Sequence, residues 1–349
     1  MSRYLAFKAA FEILSASRLC PIIRRQSAAK GLIFTLHRVL PDIPADFAPN
    51  AILQVTPDFL EQAIIKARAD GFDIVDLDEA VTRTKNPDST RPFVVLTFDD
   101  AYRDNLEFAL PVLRRHGAPF TLYVPTGLVD AKGEIWWQAL EDIIAGNERV
   151  RIQDGSVGQY AEAETLAQKH QLFSKLYAHY RTIPETERVA AIRALADAHD
   201  FDLAAHCRSL IMDWDELSAF VSEPLCTIGA HTVHHYELAK LPVDEARTEM
   251  AMSADIIARK FGRRPKHFSF PIGAPVSAGS REFELAKELG FVTAVTTRPG
   301  AIYQEHGGHL TALPRVSLNG NFQKRRYLDV FLTGAVFSAL NGYRKVNAA

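Results

Sequence analysis

Apolar and polar positions along this chain follow two alternating rhythms. Short runs rich in β-branched and aromatic residues occur at 32–36, 93–98, 120–124, 227–230, 267–270, 292–296 and 313–318, and read as buried strands. Between them, apolar residues recur at helical spacing over 57–70, 104–116, 243–261 and 281–289. Gly71, Gly117 and Gly290 close three of these helices, where a left-handed cap residue is preferred. The alternation predicts an α/β fold with a parallel sheet, open or closed into a barrel. From about 135 to 221 the strands give way to a mostly helical pattern, over 136–145, 161–180 and 184–199. Asp213-Trp214-Asp215-Glu216 then has the form of an N-cap with an acidic residue at N3. We read this stretch as a helical insertion on the barrel, not a second domain.

Composition narrows the classes. The chain has 349 residues, 47% hydrophobic and 23% charged, the balance of a soluble globular protein with a sizeable core. Its 40 basic residues nearly cancel 42 acidic ones, which gives no global case for nucleic-acid binding. Cys20, Cys207 and Cys226 are far apart, which argues against a disulfide framework or a cysteine zinc site and for buried thiols. No segment is long and apolar enough to span a bilayer. Residues 1–30 form a unit of their own in this reading, ahead of a domain over 31–349. Leu5, Phe7, Phe11, Ile13 and Leu14 suggest an amphipathic helix, with basic Arg3, Lys8, Arg18, Arg24 and Arg25 around it. Lys8 and Glu12 interrupt any signal-peptide core, so the expectation is a cytoplasmic protein. Its N-terminal helix would pack on the domain or touch the inner face of an anionic membrane.

Chemistry concentrates at strand ends. Val94-Val95-Leu96-Thr97-Phe98-Asp99-Asp100 is an apolar strand closing on two carboxylates, one free to bind a cation while the other takes a proton. Gly229-Ala230-His231-Thr232-Val233-His234-His235 also follows a short strand. Spaced four apart, His231 and His235 would share one face of a helical turn and, with one carboxylate, give a three-ligand site with an open position. His234 would point elsewhere. His267-Phe268-Ser269-Phe270-Pro271-Ile272-Gly273 runs a strand into a tight Pro/Gly loop. His37 closes the first strand, and Arg315 puts one charge inside the last, where an ordinary surface arginine is the plain reading. Trp136, Trp137 and Trp214 are expected near the barrel mouth, where aromatic faces would be open to a ligand.

With Thr97-Phe98-Asp99-Asp100, His231-Thr232-Val233-His234-His235 and Pro271-Ile272-Gly273 in this order, the chain resembles the NodB-homology polysaccharide deacetylases, carbohydrate esterase family four, over roughly 31–319. The long insertion and His37-Arg38-Val39 point to a branch similar to the poly-N-acetylglucosamine and chitooligosaccharide deacetylases. The resemblance implies a distorted (β/α)7 barrel. It implies that Asp100, His231 and His235 hold a divalent metal, usually zinc, sometimes cobalt or nickel. It implies Asp99 as general base, His37 as general acid ahead of the strand carrying the base, and the Ile272 N–H as oxyanion donor. The substrate would be an N-acylated carbohydrate, with hydrolysis of a linear, non-peptide amide.

Three positions depart from the family pattern. Ala101 stands where Gly is usual, which is tolerable at negative φ. Ser269 stands where an Arg usually tethers the base, a charge Arg315 would replace from a neighbouring strand. Ile272 stands where an aromatic is usual. Two other readings stay open at this stage: a deformylase of a lipid-linked amino sugar, and an inactive carbohydrate-binding protein.

Overall fold

The computed structural model describes residues 2–154, 157–334, 336–337 and 344–347. Seven parallel strands form its centre: β1 (Gly31–Leu36), β2 (Phe93–Phe98), β3 (Phe120–Val124), β4 (Cys226–Ala230), β5 (His267–Ser269), β6 (Thr293–Pro299) and β7 (Leu313–Ser317). Each pairs with its sequence neighbours, and β7 pairs with β1, so the sheet closes. Closure is uneven. β1 and β2 share six register pairs, whereas β4 meets β5 at one, Phe268 against Ala230, and β6 breaks register between Val295 and Pro299. This is the distorted seven-stranded barrel expected from the motifs.

Period-two alternation explains what fills it. Leu32, Phe34, Leu36, Val94, Leu96, Phe98, Phe120 and Leu122 belong to the shell beneath the helices, whereas Ile33, Phe93, Val95, Tyr123, Val295 and Leu313 form a separate inner cluster. Val75, Leu77 and Ala80, from a short strand (Asp73–Ile74), its exit and the helix Leu77–Lys85, join that inner cluster as a plug. The plug did not register in the sequence pattern. Further along the strands the inner positions turn polar: Thr35, Thr97, Asp99, Ser269 and Arg315. Apolar below and polar above, the barrel presents its chemistry at the strand C-termini. Gly229 lies on this inner face because a Cβ there would come within 2.4 Å of the Tyr123 ring.

Between 135 and 221 the helices Trp136–Ala145, Leu166–Tyr180, Glu185–Asp197, Leu203–Leu210 and Trp214–Val221 form most of the segment. Asp213 caps the last through a capping box with Glu216. An antiparallel hairpin, Arg149–Asp154 with Val157–Glu162, lies between the first two helices and takes the first two positions of the helix expected over 161–180. Alternating Val150 and Ile152 with charged neighbours is strand periodicity, which a helix-seeking reading overrides. Trp136 is buried under the Arg188 guanidinium, and Trp214 packs on Phe261 and Lys260, so neither reaches the cavity described below. Trp137 does.

The N-terminal helix α1 (Ser2–Ser17) packs on the domain: Phe11 is buried among the rings of Phe322, Tyr327 and Phe331. It is not amphipathic as expected. Phe7, Phe11 and Leu14 face the domain, yet the outward stripe of Ala9, Ala10, Ile13 and Ala16 carries no charge. The side chains of Arg3 and Leu5 lie outside the described residues. A short helix, α2 (Cys20–Gln26), follows and turns the chain into β1.

Two imidazoles make the fold acid-sensitive. Burial pushes His267 and His306 each down to about 4 from the ordinary 6.5, against a weaker upward pull from Asp78 on His267. Both stay neutral in the fold where the unfolded chain takes up protons. Stability therefore falls as pH drops from about 6.5 to about 4, on the order of 3 kcal/mol per histidine, and no further from this source below 4. Urea unfolding across that window measures the slope; a flat profile would mean the imidazoles are protonated in the fold.

Candidate metal centre

Asp99 and Asp100 emerge from β2, His231 from β4, Ser269 ends β5 and Arg315 sits in β7. Strand parity points Asp99 into the barrel beside Arg315. The next residue would point outward, but Asp100 and Ala101 adopt left-handed backbone at φ 75° and 58° and swing the second carboxylate back over the mouth. The condition under which Ala101 would be harmless, negative φ, does not hold. Its methyl accepts a conformation that costs about 1–2 kcal/mol outside glycine. The turn is fixed by Met212 N–H donating to the Ala101 carbonyl at 3.1 Å.

Asp100, His231 and His235 present one ligand atom each, all within 4.8 Å of one another. The Asp100 Oδ1 lies 3.4 Å from His231 Nε2 and 3.2 Å from His235 Nε2. The two histidines do not share a helical turn. They converge because Thr232 and His235 both take positive φ, 63° and 58°, in an irregular loop. That loop is pinned from two sides. Gly127 N–H donates to the Val233 carbonyl at 2.8 Å, so close that a Cβ on Gly127 would meet that oxygen at 2.6 Å. Glu249 accepts from the backbone N–H groups of Val233 and His234 at 3.0 and 2.9 Å, and takes the His234 ring at 2.6 Å, turning it away from the centre. No sequence signal marked Glu249; it is one acid among several on a long helix.

The donor set fits a divalent cation. His231 Nδ1 lies 2.7 Å from the Ser269 carbonyl, an arrangement that puts the ring proton there and leaves Nε2 as a lone pair. Asp100 Oδ1 is buried with no hydrogen-bond donor among the described residues. Burial opposes charge on Asp100, but the His235 ring, with His231 beside it, holds its carboxyl well below the usual range. Burial presses His235 toward its neutral form. A buried carboxylate facing two imidazole nitrogens is a cluster short of one positive charge.

Asp99 is held differently. Arg315, 1% exposed, donates from Nη1 to Oδ1 at 2.8 Å and from Nη2 to Oδ2 at 2.6 Å, a bidentate pair. Its remaining donors are spoken for: Nε to the Thr296 carbonyl at 2.9 Å, Nη1 to Thr97 at 3.1 Å and Nη2 to Ser269 at 3.1 Å. Ser269 passes a hydrogen bond on to Asp99 at 3.3 Å. Burial raises the Asp99 carboxyl, and the adjacent Arg315 charge outweighs it, leaving the group below its ordinary value. Arg315 is thus no surface residue, and Ser269 bridges the pair.

A cavity of about 100 Å³ opens over these groups, walled by His37, Asn50, Ile52, Leu53, Trp137, Tyr177, Ile272 and Thr297. Asn105 donates to the His37 carbonyl at 3.0 Å, and Asp104 clamps the next two residues, accepting from Arg38 Nε and Val39 N–H at 2.8 Å each. Asp104 and Asn105 sit at the start of a π-turn, where Leu110 N–H reaches five residues back and accommodates Pro111, which has no N–H. Ile272 has φ 60°, and its N–H donates to no group among the described residues. Trp137 packs 4.8 Å from the His235 ring and donates to Tyr102 at 3.0 Å. Asn50, which no motif signalled, locks the insertion to the wall: its amide donates to the Trp137 carbonyl at 2.7 Å and its N–H to Glu141 at 2.6 Å.

Comparison with known proteins agrees. The profile of the polysaccharide deacetylase family matches residues 86–294. The Streptococcus pyogenes deacetylase PplD, solved with acetate, is 20% identical, covering 88% of this chain and 99% of its own at a TM-score of 0.54. IcaB from Ammonifex degensii is 16% identical, covering 87% and 97% at 0.55. At such identities the likeness is one of fold. YxkH of Bacillus subtilis, provisionally named a polysaccharide deacetylase, is 30% identical over 91 residues, 26% of this chain. The match spans 32% of that relative's length.

Proposed function

The chain belongs to the polysaccharide deacetylase family, and on that premise we propose that it is a metal-dependent hydrolase removing N-acetyl groups from amino sugars of a polysaccharide, oligosaccharide or sugar-lipid. The observation that carries this reading is the adjacency, in one cavity, of the Asp100, His231 and His235 cluster with the Arg315-held carboxylate of Asp99.

Asp100, His231 and His235 would hold the divalent cation, zinc, cobalt or nickel. When bound, it supplies Lewis acidity that polarises an amide carbonyl and acidifies water. Asp99, kept ionised and immobile by Arg315, takes the proton of the attacking water. The Ile272 N–H is free to donate to the oxygen that gains charge as the carbonyl carbon becomes tetrahedral. His37, on the cavity wall, gives a proton to the departing nitrogen as the C–N bond breaks. Acetate and a free amino sugar result. The cavity of about 100 Å³ suits a small acyl group, acetyl or formyl, with the sugar ring at the mouth beside Trp137 and Tyr177. An inactive carbohydrate-binding protein has no use for a buried carboxylate held by three hydrogen bonds beside a ligand cluster.

Mass spectrometry of N-acylated oligosaccharides and lipid-linked amino sugars, incubated with metal-loaded protein, tests the reaction. Loss of one acetyl mass is expected. Loss of a formyl mass alone would make it a deformylase, and no loss from any substrate would favour the binding protein. His37→Ala separates acid from ligand. An amine leaves poorly unless protonated, so amide hydrolysis should fall by about 10²-fold or more. An activated acetate ester, whose leaving group needs no proton, should keep appreciable turnover. Equal loss on both would assign His37 a structural or metal-binding part. Residues 319–349 contain no histidine.

A further inference from the structure

α1 and α2 expose an apolar surface that nothing among the described residues covers. A helix on a domain ordinarily turns a charged face to water. Here the outward stripe of α1 is Ala9, Ala10, Ile13 and Ala16, and Leu19, Pro21 and Ile22 prolong it onto α2. Ile13 is 69% exposed, Leu19 47% and Ile22 53%, three of the more exposed large apolar side chains among the described residues. Around them stand cations. Lys8, Arg18, Arg25 and Arg325 are exposed and make no ion pair among the described residues. Lys324 and Arg326 lie beside them on the helix that α1 packs against, sharing the single carboxylate of Glu12.

We propose that this surface docks on an anionic lipid bilayer, with Ile13, Leu19 and Ile22 entering the interface and Lys8, Arg18, Arg25 and Arg325 meeting lipid phosphates. The charge decides the occupant. A second copy seated face to face would bring two sets of unpaired cations together. An anionic surface neutralises them, and apolar residues flanked by lysine and arginine are what the headgroup boundary accommodates. No helix among the described residues is long and apolar enough to cross a membrane, so the attachment is peripheral. It is independent of the reaction assigned to the barrel.

Cosedimentation of the full chain with phosphatidylcholine vesicles, with and without phosphatidylglycerol, tests the proposal. Binding is expected on the anionic vesicles and should weaken with salt. Each basic residue contributes about fivefold to partitioning, so Arg18→Gln with Arg25→Gln should lower it by about 30-fold. Ile13→Glu with Ile22→Glu should lower it more than about tenfold while the unfolding midpoint stays put, since both side chains are on the surface. Met252→Glu, at another exposed apolar site, should change nothing. Equal sedimentation with and without phosphatidylglycerol would overturn the proposal. So would a dimer abolished by Ile13→Glu in a protein that ignores vesicles.

Discussion

Replacing any one of Asp100, His231 or His235 by alanine is expected to remove most bound divalent cation and nearly all hydrolysis. Three protein ligands leave no redundancy: with two, affinity collapses and the geometry that keeps a coordination position open is lost. The variants should differ in stability. Asp100→Ala deletes a buried carboxylate whose Oδ1 has no hydrogen-bond donor among the described residues and whose company is two imidazoles, so without cation the fold should be little weakened or even firmer. His231→Ala loses the contact to the Ser269 carbonyl and with it the tie between β4 and β5, already joined at a single register pair. It should unfold more readily than His235→Ala. Elemental analysis together with thermal unfolding reads both effects. Full metal occupancy in all three variants would dismiss the assignment.

The second large effect belongs to Asp99 and Arg315. Asp99→Asn should retain the cation yet lose about 10²–10⁴-fold in turnover, the usual worth of a positioned base. Arg315→Met should slow amide and ester alike, because the base is common to both. It should also cost about 3–5 kcal/mol of stability, since it strands a buried carboxylate without its counter-charge. Arg315→Met with Asp99→Asn should recover much of the stability and none of the activity. A recovery of that kind separates the ion pair's structural part from its chemical one. An Arg315→Met protein of undiminished rate would release the arginine from its proposed part.

The strands were legible because a parallel sheet under helices demands unbroken apolar runs, and runs such as Phe93–Phe98 have no other reading. Asp99 and His231 were legible because they close such runs. The path from spacing to geometry was not. His231 and His235 meet through two left-handed residues, and the i, i+4 interval that suggested a helical face reached the right partners for the wrong reason. Arg315 looked like surface from its neighbours alone; only the closing of β6 and β7 around it brings the guanidinium to Asp99. Asn50 and Glu249 act through contacts across the fold, which leave no local trace. α1 misled because its inner phenylalanines imply an outer polar face, where Ala9, Ala10, Ile13 and Ala16 stand instead.

Five residues around the cavity, Asp100, Ala101, Thr232, His235 and Ile272, hold backbone angles that glycine would adopt without strain. Heat-resistance screening blind to catalysis should therefore pull these positions toward glycine, Ala101 first, because it has no side-chain hydrogen bond to lose, whereas Thr232 Oγ1 accepts from the His235 N–H at 3.0 Å. The tougher descendants of such a lineage would have looser loops around the histidines, and their decline as catalysts would trace the same five places.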